Sequence, residues 1–277
     1  MVTWLQRFFG RGNPEDEPSE EEQETDEIDA LMDMAFKAAQ RGDYQTAIGV
    51  WRPLAKEKWP RAMSNLGACY AEGLGVPRNI DKAARLFSSA SEAGDSVGRR
   101  NLATLYFKGE GGVEQDDQRA AELFELAAGQ GDAAAQDMLS WMMLEGQGVE
   151  YDPTEAREWA LAAAEQGVAT SMTRLGLIAH NALGMDRDAE EAARWWYEAA
   201  RRGEADGQAM LGAALHLGAG VEQDDRAAMI WLLRAEQGGS ALAAAFMATV
   251  REALSPAQLK TATDAARKRL PPLDDGR

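Results

Sequence analysis

The chain has 277 residues, one cysteine and a formal net charge of −17. That length buries a sizeable core without metal or disulfide staples, and the single cysteine excludes an intramolecular disulfide framework and points to a reducing compartment. The negative balance excludes a general nucleic-acid binder, which needs a basic footprint to release counterions, and no apolar run approaches a membrane span.

Residues 1–12 put Val2, Trp4, Leu5, Phe8 and Phe9 on a short apolar face beside Arg7 and Arg11. The opening lacks the uninterrupted apolar stretch and small-residue cleavage site of a secretory signal, so the expected location is cytoplasmic. Three roles suit it: a disordered start, a peptide that docks on a partner, or peripheral contact with a membrane surface. Asn13–Asp29 then carries ten acidic residues and no lysine or arginine, which leaves only −9 of the net charge for the other 248 residues after the first 29. Residues 1–28 therefore read as a flexible segment with an acidic, solvated tether.

Beyond it the chain repeats. Leu66, Leu102, Leu139, Leu175 and Leu211 are spaced by 36 or 37 residues. Seven positions after each comes Gly73, Gly109, Gly146, Ala182 or Gly218, then a second glycine-rich turn such as GLGV or GQGV. A helical phrase follows, with Ala83, Ala120, Ala156, Ala192 and Ala227 in register and large apolar residues three or four positions on. The units close on Gly94, Gly131, Gly167, Gly203 and Gly238, and Phe246 stands where a further marker leucine would be. Glycines stop the first helix and end the second, so each unit is a helix–loop–helix.

The hexapeptide GVEQDD occurs at Gly112–Asp117 and again at Gly220–Asp225, three repeats apart. Its first aspartate belongs to a series, Asn79, Asp116, Asp152, Asp188 and Asp224, all of them residue types that cap a helix by accepting a backbone N–H. Asp152-Pro153-Thr154-Glu155 adds proline at the first helical position. These acids read as caps of the second helices; the short loop lacks the ligand ladder of a calcium site.

AMSNLGACYAEGLGV (Ala62–Val76), RNLATLYFKGEGGV with one inserted glycine, and REWALAAAEQG (Arg157–Gly167) together resemble the Sel-1-like repeat (SLR) family, a tetratricopeptide-related helical-repeat family. Ala182 in place of the loop glycine, Met185 in place of valine and a one-residue deletion before Ala227 depart from its pattern. The resemblance implies an all-α fold, a right-handed superhelical solenoid of about seven antiparallel helix pairs. Five clear units occupy 61–240, after a tetratricopeptide-like first unit at 29–60 with a Gly42–Tyr44 turn. A C-terminal cap at 241–277 contains the Ser255–Gln258 helix start and Arg267, Lys268 and Arg269 near its end.

Chemical motifs are sparse. Gly94-Asp95-Ser96-Val97-Gly98 matches the serine-hydrolase elbow but falls between two helices, where that chemistry needs a strand before the serine. His180 and His216, the two histidines, occupy equivalent places in adjacent repeats without an obvious set of further ligands. No catalytic residue, metal site or cofactor site is assigned.

On the first helices, positions three and seven apart form one stripe. Ser64, Arg100, Asp137, Thr173 and Ala209 precede Ala68, Thr104, Trp141, Leu177 and Ala213, which precede Ala71, Phe107, Leu144, His180 and His216. A stripe of changing identity on a fixed framework is where a solenoid would read a partner. The candidate groove is Arg100, Thr104, Phe107, Trp141, Leu144, Leu177, His180 and His216, aromatic and arginine types being favoured anchors. Trp141 and Leu144 fit packing between repeats equally well. Trp159, Trp195, Trp196 and Trp231 of the second helices are expected in the core. The resemblance implies a non-catalytic adaptor or scaffold that binds a protein or peptide along the concave first-helix surface, in bacterial signalling or envelope-associated processes. A glycan or other ligand-binding module is the alternative.

Overall fold

A computed structural model describes residues 20–272, with side chains from Asp26 on. Residues 1–12, and the docking or membrane roles expected of them, lie outside the described part. Among the described residues there are fourteen helices and no strand. In chain order they form seven consecutive pairs: α1 (Glu20–Gln40) and α2 (Tyr44–Lys56), α3 (Pro60–Glu72) and α4 (Ile80–Glu92), α5 (Ser96–Lys108) and α6 (Asp117–Ala128), α7 (Ala133–Glu145) and α8 (Pro153–Glu165), α9 (Ala169–Asn181) and α10 (Ala189–Arg201), α11 (Ala205–Leu217) and α12 (Asp225–Gln237), and α13 (Ala243–Ala253) and α14 (Pro256–Ala266). The fold is an α-solenoid of paired helices. It divides within α5 into two compact units, one up to Gly98 and one from Arg99 on.

In the first unit α2 packs on α1 and α3, and α3 on α4. Its core gathers Ile28, Ala35, Ala47, Trp51, Leu54, Leu66 and Cys69. Burial pushes the Cys69 thiol above its ordinary pKa, which keeps it protonated and inert. The helix α1 begins at Glu20, so part of the acidic stretch expected as a tether is helical. Glutamate is a good helix former, and its charge suits a helix N-terminus.

In the second unit most helices pack mainly on their chain neighbours, but the last, α14, packs on α12. The core runs through Met172 and Leu175, then Trp196 and Leu211, then Met229, Leu232 and Val250. The five marker leucines are all buried; full burial of one such side chain contributes about 1.5–3 kcal/mol.

The loop inside each repeat follows one plan. Gly73, Gly146 and Gly218 cap the first helix in the left-handed region, and Ala182 holds the same place at φ 57°. The substitution of alanine thus leaves the loop conformation intact and adds strain, since an L side chain is disfavoured there. Asn79, Asp116, Asp152, Asp188 and Asp224 accept backbone N–H groups at the starts of α4, α6, α8, α10 and α12. Both copies of GVEQDD are therefore helix starts.

The second loop glycine has a packing reason. A Cβ on Gly148 would lie 2.2 Å from the backbone oxygen of Asp117, and one on Gly220 would lie 1.9 Å from that of Ala189. The loop of one repeat thus rests directly on the first turn of the preceding second helix. Within a repeat the helices also close tightly: a Cβ on Gly67 would meet the Phe87 ring at 2.6 Å, and one on Gly176 would meet the Trp196 indole at 2.2 Å.

The last repeat corrects the expected register. Asp224 caps α12, which places Ala228, fully buried, where Ala192 stands one repeat earlier. Gly239, at φ 87°, matches Gly203 at 84°, while Gly238 is right-handed at φ −78°. Met247, buried, then holds the marker place expected for Phe246. There is no deletion before Ala227; the frame is simply one residue later. At the far end Ser255 and Gln258 form the expected capping box of α14. Arg267, Lys268 and Arg269 lie past its last residue, and Arg234 of α12 instead donates to the carbonyls of Ala265 and Lys268. Desolvation by burial lowers the pKa of that guanidinium.

Candidate functional site

The first-helix stripe divides by row. Its first row faces the next repeat. Ser64 Oγ donates to Asp95 at 2.7 Å, and Asp95 also accepts from Arg61 and the Gly98 N–H. Arg100 pairs with Asp132 at 3.2 Å, Thr173 donates to Glu204, and Asp137 accepts from Thr170, Ser171 and Arg174. Asp132 and Glu204 are themselves helix caps, of α7 and α11. These polar contacts bolt one repeat to the next, and removing one partner would leave a desolvated group without its bond. Arg100 is therefore occupied inside the fold, and Thr104 donates to the Arg100 carbonyl of its own helix.

The other two rows are half-buried except at Ala213, which is buried. Phe107 on α5 and Trp141 on α7 meet edge to face, with ring centroids 5.7 Å apart. This joins two successive first helices and still leaves both rings partly exposed, so the two readings of Trp141 are both partly met. Leu144 and Leu177 are likewise half-buried, Leu177 against the core around Trp196 and Leu211. The two histidines turn to different neighbours. His180 lies against the Trp196 ring at 5.5 Å, and His216 Nδ1 sits 2.5 Å from Asp225. The structure does not gather them into one site.

The second helices correct another expectation. Trp196 is core, but Trp159, Trp195 and Trp231 are half-buried. Trp159 and Trp195 donate to Glu155 and Glu191, one helical turn earlier. Trp195 and Trp231 flank a cavity of about 690 Å³ between α10 and α12, floored by Leu211, Leu215 and Val221. Tyr197, Arg194 and Glu198 stand at its rim. The signal was present in the Trp195-Trp196 doublet: adjacent helical positions point about 100° apart, so only one of the pair can face inward. An equivalent cavity of about 290 Å³ lies between α6 and α8, floored by Leu139 and Met143 and edged by Glu122, Glu125 and Glu155.

The hydrolase-like pentapeptide sits at the α4–α5 turn, and Ser96 is the first residue of α5. Asp95 is committed to Arg61, Ser64 and Gly98. No strand precedes the serine, so the geometry of a nucleophile elbow is missing.

The Sel1 repeat family model matches residues 60–95, 96–132, 133–168, 169–204 and 205–240 without a break. This chain belongs to the Sel1 repeat family. Its repeat boundaries fall on the helix-pair boundaries derived above, including the corrected frame of the last unit. Comparison with curated proteins yields no match. Among solved structures, a Sel1 repeat protein from Oxalobacter formigenes superposes with a TM-score of 0.73 at 22% identity, covering 87% of this chain and 98% of that one. A protective antigen of uropathogenic Escherichia coli, described as displaying an SLR fold, gives 0.71 at 27% identity and covers 89% of this chain. The chain spans only 54% of that antigen's length. Sel1 repeat proteins generally mediate protein–protein interaction and are typically non-enzymatic scaffolds.

Proposed function

We propose that this Sel1 repeat protein is a non-catalytic adaptor that holds a segment of a partner protein against its first helices. The observation that carries this reading is the Phe107–Trp141 pair, two aromatic rings locked edge to face and half-exposed across adjacent repeats. Rigid aromatics lose little freedom on binding and make strong anchors. Leu144 and Leu177 extend the apolar row, while Arg100, Thr104, His180 and His216 shape its edges through contacts they already make within the chain. The bolts between repeats fix the row in advance, which lowers the ordering cost of association. Work in a reducing compartment is part of this reading, supported by the single, free and buried Cys69.

The cavity between α10 and α12 favours a second reading, a small-ligand or glycan module. Two indoles and a tyrosine beside Glu191, Glu198 and Arg194 offer stacking faces and polar partners together. The two readings separate by affinity capture with wild type, Phe107→Ala/Trp141→Ala and Trp231→Ala, each melted in parallel. Loss of a captured protein from an equally stable Phe107→Ala/Trp141→Ala variant supports the adaptor. Binding of purified oligosaccharides that is lost only with Trp231→Ala supports the ligand module and removes the first-helix assignment.

A further inference from the structure

Between α2 and α4 the first unit has a cavity of about 370 Å³ at the place where the second unit has its α6–α8 and α10–α12 cavities. The floor is apolar: Leu66 is buried, and Tyr70 and Leu86 are half-buried. All four charged residues that line it are basic. Arg52 and Lys56 come from α2, Lys82 and Arg85 from α4, and all four are exposed.

Among the described residues none of these cations has a carboxylate within ion-pair distance; Lys82 instead lies 5.2 Å over the Tyr70 ring. Asp81 and Glu57 are their chain neighbours, and neither lines the cavity. The helix start beside the groove is also the least acidic of its series, because Asn79 caps α4 where Asp116, Asp152, Asp188 and Asp224 cap the others. In a chain of net charge −17, four cations around an apolar hollow with no carboxylate partner among the described residues form a local exception.

We propose that this α2–α4 groove binds an acidic protein segment that carries one aromatic or aliphatic anchor. The hollow has room for a large apolar side chain on Leu66, Tyr70 and Leu86, and the four cations receive the carboxylates on either side of it. A short acidic segment feels mainly these nearby cations, since exposed charges beyond about 10 Å are screened at ordinary ionic strength. A long nucleic acid would feel the whole acidic surface and be repelled. This site is separate from the first-helix row and does not depend on it.

The test is fluorescence anisotropy on the full chain with short labelled peptides. One has aspartate and glutamate around a leucine and a tryptophan; a second has serine and asparagine for the acids; a third has serine for the tryptophan. A single-stranded oligonucleotide is the fourth probe. The first peptide is expected to bind about tenfold or more tighter than the second and third, and to weaken as salt rises. Arg52→Glu/Lys82→Glu is expected to lose about tenfold or more, Lys82→Gln less, and Arg119→Glu on α6 nothing, all with unchanged melting. Equal binding of acidic and neutral peptides, no effect of the charge reversals, no binding of the first peptide, or tighter binding of the oligonucleotide would each overturn the proposal.

Discussion

The α2–α4 groove of the first unit and the α6–α8 groove of the second are built from equivalent positions. Leu66 and Leu139 are the floor of each, with Tyr70 and Met143 beside them. At the rim the equivalents reverse sign: Arg52 stands where the other has Glu125, and Lys82 where it has Glu155. In the α10–α12 groove the same two places hold Tyr197 and Ala227. Floor positions are fixed because they must fill the space between helices at interior density. Rim positions meet solvent and contribute little to folding, so their charge is free to follow a ligand. One architectural hollow thus exists with a basic rim, an acidic rim and, between α10 and α12, a rim of mixed charge.

Framework substitutions should then cost much in either unit, and rim substitutions little. The largest effect is expected at Gly220→Ala, where a Cβ meets the Ala189 backbone and the residue has φ 72°; urea unfolding should show a loss of roughly 3 kcal/mol or more. Gly75→Ala, its equivalent in the first unit, meets the Tyr44 side chain at 2.7 Å and should cost less. Equal costs would mean that the two loops seat alike. Next, Asp95→Ala and Asp137→Ala each strip the bolt of one unit, with an expected loss of about 2 kcal/mol by the same measurement. If either proves neutral, the contacts between repeats are apolar in that unit. Ala182→Gly relieves the left-handed strain and should raise stability by about 0.5–1 kcal/mol, read as a higher melting temperature. Smallest of all, Arg52→Glu and Glu125→Lys should each leave stability within about 0.5 kcal/mol. A larger shift in either would show that rim charge serves the fold and would break the comparison.

Much of this was legible in the sequence, for identifiable reasons. Caps and left-handed turns depend on one residue at one place, so Asp116, Asp224 and Gly146 announce themselves. The 36-residue period names the pairs and their number. Where the reading slipped, two neighbouring residues were of the same kind. Ala227-Ala228 and Gly238-Gly239 satisfy the pattern equally, and only the Asp224 cap and the positive φ of Gly239 choose between them. Helical spacing correctly placed Arg100, Thr104 and Phe107 on one stripe, but spacing states which residues share a face and not what that face meets. Arg100 met Asp132, 32 residues away, and Phe107 met Trp141. The grooves between second helices were missed because each draws on three helices, so no contiguous stretch of chain carries their signal.

The extra glycine of the second repeat leaves Asp116 capping α6 and the marker leucines buried on both sides. Added length is taken up between Gly109 and Asp116, where Gly111 and Gly112 both turn with positive φ. Such a loop is a natural graft point: a binding epitope or a reporter placed there would ride on the array without displacing a helix, and a lineage could lengthen it by small steps while every neighbouring interface stayed in register.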